Sequence, residues 1–400
     1  MASLHPFRAL RPKPADAAHI AAVPYDVVST DEARALADGN PLSFLRASRA
    51  ELELPDGTDP YADAVYDRAA ANFNRLKQTA LVTEDEPSVY FYRLRMGSHT
   101  QTGLAACFSI DEYDRDAIKK HERTRRDKED DRTRHMIALG AQTGPVFLTY
   151  RASADVNRIA DKAAEADPLF DFEAADGVRH TIWRVGGSNR DALVSAFQGI
   201  PALYIADGHH RAASAARART ELRGRGESGT MLAVAFPHDQ VQILPYNRIV
   251  KDLGSLSPDD FLQAVRDRFE VEAGPATPGR RGDIAMYFRG SWHTLRSRVA
   301  ANVRDPISSL DVSVLQEHLL AQILNIADVR TDKRIDFVGG VRGTGELARL
   351  VDGGKAAIAF SLYPVSVADL MAVSDAAGIM PPKSTWFEPK LRDGLLIHVI

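Results

Sequence analysis

The stretch Ile200 to Thr220, IPALYIADGHHRAASAARART, decides how the chain is read, because its character changes three times within a few residues. Ala202 to Ala206 is an apolar run with the length and composition of a buried strand. Asp207 and Gly208 interrupt it. His209, His210 and Arg211 follow, and Ala212 to Ala218 is among the best helix-forming compositions available. The pattern predicts strand, tight turn and helix. Such a turn leaves backbone N–H groups unpaired at the positive end of a helix dipole, which suits an anion and above all a phosphate. Gly208 supplies a backbone angle that other residues resist. Two adjacent histidines at a helix start project about 100° apart and so address different partners.

Around this stretch the composition sets limits. The 400 residues, 44% hydrophobic and 26% charged, allow two or three domains with ordinary cores. A formal net charge of -4 argues against a surface dedicated to the phosphate backbone of nucleic acid. The single cysteine, Cys107, excludes an intramolecular disulfide, fits a reducing cytoplasm and sits in the apolar run GLAACFSI as a core residue. The N-terminus lacks the apolar stretch of a secretory leader, and no run approaches the ~18 apolar residues needed to span a bilayer. A soluble cytoplasmic protein is expected.

Three segments are expected: an N-terminal α/β segment over 1–100, a core over 101–254, and a C-terminal α/β domain over 255–400. In the first, a helix starts near Ser29 or Thr30 with Asp31 and Glu32 in its first turn. Tyr25 and Asp26 precede it, and Asp26 reads as a helix cap in preference to a pocket residue. Helical spacing runs from Ala62 to Leu81, and SVYFYRLRM alternates like a strand. The segment DRDAIKKHERTRRDKEDDRTRHM has the mixed-sign charge of a solvated helical face, and Asp130 or Asp131 offers an N-cap for a helix through Met136 and Leu139. Within it, His121 and Glu122 stand between Lys119, Lys120 and Arg123. A carboxylate among cations stays ionised and can accept a proton from a substrate hydroxyl. The run AMYFRGSWHTL reads as a single strand. Gly339, Gly340, Gly343 and Gly345 lack the spacing and the Lys-Ser/Thr of a phosphate-binding loop, so they read as turn chemistry. Arg248 reads as a surface charge at a strand end. In the C-terminal tail, Lys383, Ser384, Thr385 and Lys390 accompany paired prolines, which suits phosphate recognition as well as it suits idle surface residues.

Taken together, VPYDVVS, KHERT with the following DDR, YIADGHHRAA, ILPYNR and MPPKSTWFEPKLRDGL resemble the family known as domain of unknown function 1015, over essentially the whole chain. One step further out, a strand ending in Asp-Gly-His-His-Arg and entering a helix is similar to the ParB/sulfiredoxin-like nucleotide-binding fold, in particular to its free serine kinases. Those also carry a His-Glu pair upstream and a Pro-Lys-Thr-Thr segment near the C-terminus, in the same order as His121-Glu122, Asp207 to Arg211 and Pro382 to Thr385 here. The gap between Glu122 and Asp207 is longer than in those kinases, and an N-terminal segment has been added.

The resemblance implies an α/β (α+β) fold with a ParB/sulfiredoxin-like core. It also implies phosphate transfer, in either direction, between a nucleotide and the hydroxyl of serine or a similar small metabolite. Glu122, with His121 beside it, would act on the hydroxyl. Gly208, His209, His210 and Arg211 would hold phosphates, with Asp207 orienting the loop or helping with Mg²⁺. Lys383, Ser384 and Thr385 would close on ADP or ATP, and Arg132 is a further anion-binding candidate. Phosphoryl transfer needs little beyond such positioning and charge neutralisation. No residue is assigned as a metal ligand, and a homodimer is kept open. Two other classes remain: a non-catalytic nucleotide switch of ParB type, and a metal-dependent hydrolase using His121, Glu122, His209 and His210.

Overall fold

The computed structural model describes residues 2–299 and 305–400. The apolar run ahead of Asp207 forms an interior strand of a nine-stranded mixed sheet. Its strands are β1 (Leu4–His5), β2 (Val89–Met96), β3 (His99–Ser109), β4 (Ile118–Lys119), β5 (Val146–Tyr150), β6 (Phe170–Glu173), β7 (Arg179–Val185), β8 (Leu203–Asp207) and β9 (Thr230–Pro237). Their order is β4-β8-β5-β9-β3-β2-β7-β6, with β1 paired to β3. Two pairs are parallel, β4 with β8 and β5 with β9, and the others are antiparallel. Between Ile205 and Asp207 the register of β8 against β5 shifts. An irregularity of this kind bends a strand and re-aims its side chains, here at the residue that opens the central turn.

The helices of this unit include α1 (Thr30–Ala37), α2 (Asp63–Thr79), α3 (Arg126–Leu139), α4 (Gly187–Gln198) and α5 (His209–Glu221). The alanines of α5 let it lie close, with Ala212, Ala215 and Ala218 buried in the main core beside Leu148, Phe197 and Ile205. Helix α3 packs along α5. Ser29 caps α1 in a reciprocal capping box with Glu32, so Asp26 is not the cap that its position suggests. Helix α3 begins at Arg126 and not at Asp130 or Asp131. Asp127 and Glu129 occupy its first turn, while Asp131 is taken up by Tyr66 and Arg132. Cys107 is buried, and burial raises its thiol pKa, as expected of a core residue.

The chain folds as two compact units, residues 1–241 with 389–400, and residues 242–388. One sheet thus draws on strands from both 1–100 and 101–254. The C-terminal residues 389–400 belong to the first unit: Leu10 bridges Ile397, Ala22 bridges Asp393, and His398 pairs with Gln142.

The second unit carries a six-stranded antiparallel sheet of β10 (Tyr246–Val250), β11 (Phe269–Ala273), β12 (Ile284–Phe288), β13 (Ser291–Ser297), β14 (Ile335–Gly339) and β15 (Ile358–Leu362), in the order β11-β13-β12-β15-β10-β14. The run AMYFRGSWHTL, which reads as one strand, is the hairpin β12–β13. Arg289 and Gly290 both have positive φ, 50° and 78°, and such a pair is what a two-residue hairpin turn requires. No helix among the described residues is long and apolar enough to cross a membrane.

Candidate functional site

At the end of β8 the backbone turns sharply through Gly208, at φ 91°, and enters α5 without a side-chain cap. A Cβ on Gly208 would stand 2.9 Å from Arg211 Nε, so both the backbone angle and the close guanidinium require glycine there. Asp207 is held from two directions. Its Oδ1 accepts the Gly208 N–H at 2.8 Å, and its Oδ2 accepts from Lys390 Nζ at 2.9 Å. Burial alone would raise the pKa of this carboxyl, but Lys390 and Arg211 outweigh it and hold the group well below the usual carboxylate range. Lys390, which in sequence suits an idle tail as well as a phosphate, is therefore the fixed counter-ion of the central turn. Both Asp207 oxygens are engaged, which leaves a poor fit for Asp207 as a direct Mg²⁺ ligand.

The two histidines have different partners, both on the loop that follows β4. The His121 backbone N–H donates to His209 Nε2 at 3.4 Å, and the Arg125 N–H donates to His210 Nε2 at 3.0 Å. Together they pin the segment 121–125 to the start of α5. With Nε2 accepting, a neutral His209 carries its proton on Nδ1, and that atom lies 3.9 Å from Glu122 Oε2. The His121 and His209 rings meet edge to face, 4.5 Å apart. Burial is the main reason that His209 is lowered well below its ordinary pKa, with His121 adding to it. Burial likewise lowers His121 to about 4. Both rings are neutral near pH 7. The Glu122 side chain is 40% exposed, so it is the member of this group that solvent and a small molecule can reach.

On the other side of the turn lies a second group. Arg211 is buried, donates to the Pro145 carbonyl, and has its Nε unpaired among the described residues. Burial would lower its pKa, but Asp26, Asp207 and Asp393 keep it charged. Arg132 donates to Asp131 at 2.7 Å and stacks 4.2 Å over the Tyr25 ring. Tyr25, Arg132, Arg211, Gly144 and Asp393 line a cavity of about 40 Å³, room for roughly two or three waters and not for a nucleotide. Burial raises the Asp393 carboxyl to about 7 even though Arg211 pulls it down. Asp393 escapes the sequence reading, and Tyr25 enters it only as a neighbour of Asp26. The signal is present in the KLRDGL and VPYDVVS motifs, which mark the family without giving Asp393 a role.

In the second unit, Lys383 has a positive φ of 57° and holds its ammonium 5.4 Å from the centre of the Tyr246 ring. Ser384 Oγ donates to the Pro381 carbonyl at 2.5 Å. Arg248 is not a surface charge: it is buried and donates to the carbonyls of Tyr246 and Lys383, tying β10 to the PPKST turn. Gly339 packs against the Trp386 ring and Gly340 against the Pro245 carbonyl, close approaches rather than a phosphate cradle.

The fold is thus a mixed α/β architecture around a large mixed sheet, with a charged turn at the end of an interior strand. The chain belongs to the family described as "Protein of unknown function (DUF1015)", whose model matches residues 4–313. No curated protein matches it. Among solved structures it is similar to a variant of free serine kinase in complex with ADP, at 14% identity and a TM-score of 0.37, covering 73% of this chain and 92% of the other. It is also similar to a conserved hypothetical protein from Pyrococcus furiosus, at 13% identity, TM-score 0.37 and coverage of 74% and 95%. A third is a C-terminally truncated SbnI from Staphylococcus aureus, at 12% identity, TM-score 0.40 and coverage of 74% and 87%.

Proposed function

We propose that this chain is a small-molecule phosphotransferase built on a ParB/sulfiredoxin-like core, moving phosphate between ADP or ATP and the hydroxyl of serine or a similar compound. The observation that carries this reading is the half-buried but solvent-accessible Glu122 carboxylate beside the uncapped start of α5. A base and an anion-binding helix end share one small region, which is what transfer between a nucleotide and an alcohol needs.

In this reading the amides of residues 209–211 receive phosphate oxygens, and the fixed charge of Arg211 and Lys390 keeps the region cationic around the ionised Asp207. His209 and His210 act by holding the segment 121–125 against α5, which sets where Glu122 stands. Glu122 orients the acceptor hydroxyl and takes its proton as the oxygen attacks the terminal phosphorus, while the bridging P–O bond breaks and AMP or ADP leaves. A divalent ion such as Mg²⁺ would be carried by the nucleotide phosphates, since both Asp207 oxygens already accept hydrogen bonds, and no step here depends on it.

The test is incubation of the purified protein with Mg²⁺, ADP or ATP and serine, and in the reverse direction with phosphoserine and AMP or ADP. Turnover in either direction is expected. Its absence in both, with folded protein, overturns the serine version. Nucleotide binding and nucleotide-dependent dimerisation without product would instead identify a binding switch.

A further inference from the structure

We propose that His121, Glu122 and His209 form a binding site for one divalent transition-metal ion of the zinc or cobalt type. This does not rest on the phosphotransferase reading, and an ion held there would occupy the Glu122 carboxylate that the reading uses as base. One donor atom from each of the three residues lies within 4.8 Å of the other two. His121 Nδ1 is buried and has no hydrogen-bond partner among the described residues, and a buried ring nitrogen left in that state is unfavourable unless something accepts its lone pair. The neighbouring His209 ring stands at 90° to it, with centroids 4.5 Å apart, and His209 Nδ1 faces Glu122 Oε2 at 3.9 Å.

Two imidazoles and one carboxylate are the donor set of borderline divalent ions, and nitrogen ligands select against Mg²⁺. Ligand atoms around a tetrahedral ion with bonds near 2.0–2.2 Å sit about 3.4 Å apart. A pair at the 4.8 Å limit must therefore close by a little over 1 Å. His209 would bind through Nδ1, its proton passing to Nε2 and giving up the long 3.4 Å contact with the His121 N–H. Three protein ligands leave a fourth position for water or a ligand oxygen.

The experiment titrates chelator-treated, full-length protein with Zn²⁺ and Co²⁺ by calorimetry, with no nucleotide present, and follows the visible absorption of bound Co²⁺. One ion per chain is expected. Glu122→Gln and His209→Asn should each weaken binding by at least ~10-fold, and His19→Asn, at an exposed histidine elsewhere, should leave it unchanged. Circular dichroism confirms that each variant is folded, and Glu122→Gln keeps the test valid if His209→Asn fails to fold. No saturable binding, or binding that Glu122→Gln leaves intact, overturns the site, whatever the outcome of the turnover assay.

Discussion

Two clusters flank the turn at Gly208, and burial has opposite consequences in them. On one side His121 and His209 are stripped of charge, and only the exposed Glu122 faces solvent. On the other side Arg211 and Arg132 stay charged, because guanidinium does not deprotonate in proteins and because Asp26, Asp131, Asp207 and Asp393 face them. The first cluster can exchange protons and accept a cation. The second is a fixed electrostatic frame, and Asp207 belongs to it through Lys390 and Arg211.

The most damaging way to break this contrast is to remove the frame's central cation. Arg211→Ala would leave Asp207 and Asp393 buried with fewer counter-charges, and losing one partner of a buried ionic group costs about 3–5 kcal/mol. Chemical denaturation should show that loss, together with weaker nucleotide binding. A cost under about 1 kcal/mol would mean that the cluster is not tightly coupled.

Glu122 should respond in rate and not in stability. Glu122→Gln is expected to lower turnover at least ~10²-fold with nucleotide affinity little changed. Equal loss of nucleotide binding in Glu122→Gln and Arg211→Ala would erase the distinction between the two sides. Gly208→Ala sits at the hinge between them. Its φ of 91° and the 2.9 Å approach of Arg211 Nε predict a cost of about 1–3 kcal/mol, read as a lower denaturation midpoint.

The sequence made the hinge legible because its signals are local. The apolar run, Asp-Gly and the alanines each act within a few residues, and strand, turn and helix formed where they pointed. The start of α1 near Ser29 or Thr30 was legible for the same reason. Its neighbour Asp26 misled, because a side chain near a helix start has several uses and only the folded chain chooses one. The juxtaposition of Glu122 with His209 spans more than eighty residues, and it was motif order that brought the two segments into one expectation. Asp393 and Lys390 were harder still. Their roles exist only because residues 389–400 return to the first unit, and no periodicity in a tail states where it will dock.

The finest discrimination between the clusters is in pH dependence, because they titrate with opposite sign. His121 has its pKa lowered from 6.5 to about 4 by burial, so between those values the unfolded chain binds more protons than the folded one. Its share of the stability therefore rises with pH across that window. Asp393 is raised from 3.8 to about 7, by burial first, so the folded chain binds more protons there, and its share falls as pH rises from about 4 to 7. In the intact protein the two slopes oppose each other. Asp393→Asn keeps the shape of the side chain and removes only the falling contribution, so melting temperatures measured from pH 4.5 to 6.5 should climb more steeply than in the parent. Above pH 7, where Asp393 is fully ionised in the parent, the two slopes should become parallel. An unchanged slope would place the proton of Asp393 elsewhere and leave the histidines as the sole titrating element of the turn.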